Sequence, residues 1–265
     1  LHHKNKNITF AVIMIIEAVL IILYTLLFIL LIRKLNFFNL PGIGTNAVCS
    51  VFILKIISGI LLWAVYTYYY TDRSTADIFK YFDDSKIMHD AAFSKPLDYI
   101  KMLTGIENNN EYFNDNYYNK MNNWFRTHES TLYNESHSLI RFNAVIRFFS
   151  FGYFNVHTVF MCFFSLTGLI GLYRFIYKYL RKNRDFLFLS VFLLPTVLFW
   201  GSGVLKEGLI LTGMGLLLWS FDKVLNKSKH YFITIIMILS FVLVRYTKFY
   251  IALSLIPLMI ALLWS

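Results

Sequence analysis

The sequence predicts an all-α integral membrane protein of about seven transmembrane helices, with one large extracytoplasmic loop that carries amphipathic helices of its own. Three observations predict it. Hydrophobic residues make up 57% of the 265 residues, the mean hydropathy is +0.56, and the apolar residues come in runs long enough to cross about 30 Å of hydrocarbon at about 1.5 Å per helical residue. Of the 15 acids, 11 fall in the single polar interval 71–152. Outside that interval 16 Lys and Arg stand against four acids, and they sit at the ends of the apolar runs. The net charge of +10 is therefore of the kind that fixes topology at an anionic lipid surface, which argues against nucleic-acid binding.

Taken in order, residues 1–70 hold two N-terminal spans. Thr9 to Ile32 contains one acid, Glu17, and is too long for the apolar region of a cleavable signal peptide. The chain opens on Leu, so it is expected to be a fragment with sequence missing upstream. Arg33, Lys34 and a turn at Pro41, Gly42 and Gly44 lead into Ala47 to Tyr70, which carries Lys55 and ends in Tyr66, Tyr68, Tyr69 and Tyr70, a run suited to the headgroup level.

Residues 153–265 hold a bundle of about five spans. Tyr153 to Tyr177 ends among Arg174, Lys178, Arg181, Lys182 and Arg184, the strongest positive-inside signal, so that end is cytoplasmic. Phe186 to Phe221 would make a helix of about 54 Å, too long for one crossing. It reads as two, Phe186 to Trp200 and Gly208 to Phe221, with a turn at GSGVLKEG dipping below the surface. Lys223, Lys227 and Lys229 mark a second cytoplasmic loop. Tyr231 to Val244 and Phe249 to Trp264 then enclose a turn with Arg245 and Lys248. Alternation of sides brings 71–152, 201–208 and 245–248 to the outer face.

Within the loop, Thr75 to Ala92 has helical spacing, with Ile78, Phe79, Phe82, Ile87, Met88 and Ala91 on one face. His137 to Phe149 is amphipathic and is expected to lie along the membrane surface. Asn108 to Asn123 shows no regular period.

The charged residues supply the candidate chemistry. Asp77, Asp83 and Asp84 lie within two helical turns, where carboxylates act as a general base toward a hydroxyl or hold a divalent cation; a solvated helix face has the same pattern. Lys206 and Glu207 sit between apolar half-spans, at a cost of roughly 2.5–3.5 kcal/mol per residue at mid-membrane. They are either an interfacial turn with Lys206 snorkelling or a contact to a lipid-linked phosphate. Arg245 and Lys248 on the outer face run against the positive-inside preference and are either topological or anion-binding. Glu17 and Lys55 are expected to pair within the bundle. Cys49 and Cys162 lie in apolar runs and read as structural, and His89, His128 and His137 lack a zinc-ligand spacing.

The aromatic-ended span, the acidic opening of the loop (Asp77, Asp83, Asp84), the surface helices, and the stretches PTVLFWGSGVLKEGL and LVRYTKFYIALSLIPL together resemble the polytopic class C (GT-C) glycosyltransferases. The resemblance is to the dolichyl-phosphate-mannose mannosyltransferase and aminoarabinose transferase group, and covers Ala47 to Trp264. It implies transfer of a sugar from a polyprenyl-phosphate-linked donor, a membrane lipid, to an acceptor outside the bacterial inner (cytoplasmic) membrane. The base it implies is Asp77, Asp83 or Asp84. On physical grounds Lys206, Glu207, Arg245 and Lys248 are the candidate substrate-binding residues beside it, with Lys206, Arg245 or Lys248 stabilising charge on the departing phosphate. An extra span before the loop-bearing one and a short span count depart from the pattern. A transporter or flippase-like component for lipid-linked saccharides, a non-catalytic subunit of an envelope complex, and a polymerase of lipid-linked repeats remain alternatives.

Overall fold

The computed structural model describes residues 2–70, 72–73, 75–125, 134–226 and 231–264, with side chains from Val12 onward; His128, Glu129, Lys227 and Lys229 lie outside the described residues. The order is α1 (His2–Lys34), α2 (Thr45–Tyr68), α3 (Asp77–Ser94), α4 (Pro96–Thr104), α5 (Glu111–Asn116), α6 (Ser136–Ser150), α7 (Phe154–Tyr177), α8 (Arg184–Phe192), α9 (Pro195–Trp200), α10 (Lys206–Leu225), α11 (Tyr231–Thr247) and α12 (Phe249–Leu263). No strand occurs among the described residues.

Among the described residues four helices are long and apolar enough to cross a membrane: Val12–Lys34 of α1, α2, α7 and α10. Helices α11 and α12 are apolar but only 17 and 15 residues long. The expected span Phe186 to Trp200 is not one helix. It breaks at Leu193 and Leu194, because Pro195 has no N–H to continue the ladder and restricts the residue before it. The expected Gly208 to Phe221 is longer at both ends, so Lys206 and Glu207 form the first turn of α10 rather than the middle of a turn.

Helices α7 and α10 run parallel in backbone contact. A Cβ on Gly168 would strike the Leu211 carbonyl and Thr212, one on Gly171 would lie 2.6 Å from the Gly215 oxygen, and one on Gly215 would strike the Gly168 carbonyl. Small residues let helix backbones approach this closely where lipid gives no hydrophobic drive between helices. Since α7 and α10 point the same way, α8 and α9 together carry the chain back between them. Helices α1, α2, α7 and α8 share a core of aromatic contacts, among them Phe28 stacked on Phe163 at 4.2 Å and edge-on to Phe160 at 5.1 Å.

The cationic ends gather at one side. Arg174 donates to the carbonyls of Phe37, Asn36 and Asn39, each at 2.8 Å, and so closes the α1–α2 connection. Lys178 pairs with Asp222, joining the C-terminal ends of α7 and α10.

The polar interval is a packed helical cap. Ile78, Phe79, Met88, Met102, Phe113, Tyr118, Trp124, Leu139 and Ile140 bury against one another and against Val204, Leu205 and Leu209 at the start of α10. Of the apolar face of α6 that was expected to lie on lipid, Leu139, Ile140 and Ile146 are buried, together with Ala144, while Phe148 and Phe149 are exposed. Arg147 is buried with it, donating to Ser85 Oγ at 2.8 Å and to the Phe82 carbonyl at 2.5 Å. Burial pulls its guanidinium down to about 10.

Candidate functional site

The cap and the bundle meet at the start of α10. The Lys206 Nζ lies 3.7 Å from Glu135 Oε2, just before α6, and 5.3 Å over the Tyr81 ring of α3. Tyr81 donates its hydroxyl to Asp77 Oδ2 at 3.3 Å and also bonds Ser136. Burial, followed by the Asp77 carboxylate, pushes the Tyr81 hydroxyl far above its ordinary value of 10. Asp77 is the first residue of α3, where its charge favours the helix dipole, and Asn123 Nδ2 approaches its other oxygen at 3.4 Å. Ser138 Oγ donates to the Tyr246 carbonyl at 2.8 Å, tying α6 to the end of α11 and bringing Lys248 toward the same place. Asp77, Glu135, Glu207 and Lys248 all act electrostatically on Lys206. Hydrogen bonding to Tyr250 raises Lys248 above its ordinary value, with Glu207 and Glu135 adding to the effect.

Of the seven residues singled out in the sequence, four converge here: Asp77, Lys206, Glu207 and Lys248. The other three do not. Asp83 is an exposed partner of Arg73, which grips it through two bonds of 2.7 and 3.0 Å. Asp84 is fully buried, and accepts from the Asn122 N–H at 2.7 Å, Asn122 Nδ2 at 3.0 Å and the Asn123 N–H at 2.7 Å. Burial raises its carboxyl above the ordinary 3.8, and those three donors pull it part of the way back. Arg245 is exposed and folds over the Tyr246 ring at 4.8 Å. Tyr81, Glu135 and Ser136 were not singled out. Glu135 carried a signal, an acid one residue before an amphipathic helix, but its partner lies 71 residues away in sequence.

The expected Glu17–Lys55 pair does not form. Glu17 accepts from the Asn155 N–H at 3.0 Å and Nδ2 at 3.1 Å, and so caps the first turn of α7. Lys55, fully buried, donates to the Gly201 carbonyl at 3.1 Å and holds the bend between α9 and α10. Cys49 and Cys162 are buried free thiols. His89 rests between Phe93 and Phe148, and His137 stacks on Trp124 at 3.8 Å. Among the described residues no three His, Cys, Asp or Glu side chains are grouped to hold a metal ion. Ser150, His157 and Asn143 stand in the order of a nucleophile relay, at 2.6 and 3.2 Å, but all three are buried and close the α6–α7 corner. An open cleft of about 410 Å³ is lined by Lys101, Gly105, Glu107, Asn108, Asn109 and Asn110, none of them in the Lys206 cluster.

The fold thus defines an all-helical protein with several helices able to span a membrane and an ionisable cluster where a helical cap meets the bundle. No protein-family model, characterised protein or solved structure matches the chain.

Proposed function

We propose that the chain is a membrane glycosyltransferase that moves a sugar from a polyprenyl-phosphate carrier to an acceptor at the extracytoplasmic rim of the bilayer. The observation that carries the reading is the Lys206 cluster. A helix N-terminus at the end of a span bears an ammonium group 3.7 Å from Glu135 and within electrostatic reach of Asp77, the carboxylate that heads the cap, and of Lys248. Helix N-termini and ammonium groups bind phosphate. An exposed carboxylate nearby takes a hydroxyl proton.

In this mechanism Asp77 removes the acceptor hydroxyl proton as that oxygen attacks the anomeric carbon. The bond from that carbon to the phosphate oxygen breaks, and the phosphate keeps the electron pair. Lys206 and Lys248 meet the charge that grows there. Tyr81 holds Asp77 and Lys206 at a fixed separation. The finer topology belongs to the same proposal: α8 with α9, α11 and α12 complete seven crossings, with the Arg174–Arg184 end in the cytoplasm. No step is routed through a divalent cation.

The test is transfer in lipid nanodiscs, with mass spectrometry of co-purified lipid supplying the donor. Asp77→Asn and Lys206→Met are expected to lose about 10²–10⁴-fold in rate at unchanged folding, in line with removal of a general base or a charge-stabilising group. Wild-type rates in both variants overturn the reading.

A further inference from the structure

Helices able to span a membrane are expected to expose apolar side chains to lipid. The cap exposes them too: besides Ile106, Tyr112 and Phe125, six are carried by α3, α4 and the end of α6. Phe93 (73% exposed) ends α3, Leu97 (74%) and Ile100 lie on α4, and Phe148, Phe149 and Phe151 (70%) end α6. They form one surface: the Phe93 and Phe148 rings are 5.9 Å apart, and α4 follows α3 after one residue. A patch of this size on a packed unit marks an interaction face.

Its position along α1 says what covers it. The hydroxyl of Tyr24 donates to the Phe149 carbonyl at 2.7 Å, and the Phe149 ring lies 6.1 Å from that of Phe160 in α7. Tyr24 is 12 residues into the apolar stretch Val12–Lys34, about 18 Å along the helix from Val12. Its neighbours Leu23, Leu26 and Leu27 are exposed apolar residues, as are Ile15 and Val19 nearer the start. Glu17, which caps α7, lies about 7.5 Å along from Val12. The α6–α7 corner therefore sits level with the apolar interior of α1, not beyond its end. The charges on these helices are mixed and engaged within the cap, Lys101 with Glu107 at 2.9 Å and Lys95 with the Tyr112 hydroxyl at 2.7 Å, so the apolar side chains carry the argument.

We infer that the face formed by Phe93, Leu97, Ile100, Phe148, Phe149 and Phe151 is immersed in the acyl region of the bilayer leaflet that holds the N-terminal half of α1, so that the cap is a partly submerged platform. The inference rests on α1 as a span and is independent of the transferase reading. It adds a consequence for that reading: α3 carries Asp77 at its start and a lipid anchor at Phe93, about 24 Å further along the helix.

The experiment places a bimane on Leu97→Cys, Phe151→Cys or, as a water-facing control, Glu111→Cys, each exposed; the native thiols Cys49 and Cys162 are buried and contribute little label. In phosphatidylcholine–phosphatidylglycerol vesicles containing doxyl-labelled lipid, labels at Leu97 and Phe151 are expected to be quenched several-fold more strongly than at Glu111. Aqueous iodide should show the reverse order. Equal iodide quenching at all three positions overturns the inference. So does protection of Leu97 and Phe151 that persists in detergent and grows with protein concentration, since that assigns the face to a second copy of the chain.

Discussion

Asp77 and Asp84 belong to the same acidic helix, and the geometry makes opposite demands on them. Replacing Asp84 by Ala removes the acceptor for two backbone N–H groups, those of Asn122 and Asn123, each bonded at 2.7 Å inside the cap. Leaving a buried donor unpaired costs about 1–3 kcal/mol. Two such donors give roughly 3 kcal/mol, with the Asn122 amide free to turn away. For a chain of this size, that lowers the unfolding temperature by about 6–12 °C, at about 2–4 °C per kcal/mol. Asp77 is exposed at the head of α3, and Asp77→Asn keeps an acceptor for the Tyr81 hydroxyl; it gives up the helix-dipole contribution and a solvent-screened attraction to Lys206, about 0.3–1 kcal/mol together, and shifts the midpoint by a few degrees at most. Thermal unfolding of the detergent-solubilised protein, followed by the fluorescence of its five tryptophans, Trp124 beside Asn123 among them, separates the two. If Asp84→Ala melts with the wild type while Asp77→Asn falls by several degrees, the division of roles between these carboxylates is wrong.

Three further outcomes are expected. Gly215→Leu drives a side chain into the Gly168 carbonyl and should abolish the monodisperse folded protein in size-exclusion chromatography, whereas Gly44→Ala, with nothing within 4 Å, should not. Arg174→Lys should destabilise nearly as much as Arg174→Ala, about 2–3 kcal/mol by thermal unfolding, because an ammonium group cannot span the three carbonyls that the guanidinium fork reaches. Because Asp84 is raised in the fold, the folded chain holds its proton longer than the unfolded one. Its contribution to stability is therefore present below about pH 3.8 and is lost as pH rises through the folded value; Asp84→Asn should flatten that part of a melting-temperature profile.

The long spans were legible because an apolar run of 24 residues leaves few alternatives, and α3 was legible because Ile78, Phe79, Phe82, Met88 and Ala91 repeat at helical spacing. The short α4 was missed, although Pro96 at its first position and Gly105 just past its end, at φ +81°, are ordinary start and stop signals. A pattern of apolar residues states that a face is covered but not by what. Helix α6 thus read as lying on lipid, when its stripe packs against the cap and only its last aromatics reach outward. Charge is less legible still. Asp83 and Asp84 are neighbours in sequence, yet one faces water beside Arg73 and the other is buried against a loop 38 residues on. Lys55 and Glu17 looked like partners because both are costly in a span, whereas a backbone carbonyl and a helix N-terminus satisfy them separately.

The charge balance of the cluster leads to a final prediction. Among the described residues it holds three carboxylates, Asp77, Glu135 and Glu207, against two ammonium groups, Lys206 and Lys248. A sugar phosphodiester donor brings one more negative charge and does not itself titrate near neutrality. It therefore enters against three carboxylates and is held by the two ammonium groups alone. Glu135→Gln frees Lys206 of the carboxylate 3.7 Å away and leaves two carboxylates facing two ammonium groups, so it should tighten donor binding, by about tenfold for each 1.4 kcal/mol of repulsion removed. Lys248→Met should weaken binding in the same measure, and both effects should shrink at high salt. Calorimetric titration of a polyprenyl-phosphate sugar into the three proteins at low and high ionic strength measures them. An affinity unchanged or lowered in Glu135→Gln, or unchanged in Lys248→Met, is incompatible with a donor phosphate seated among these five side chains.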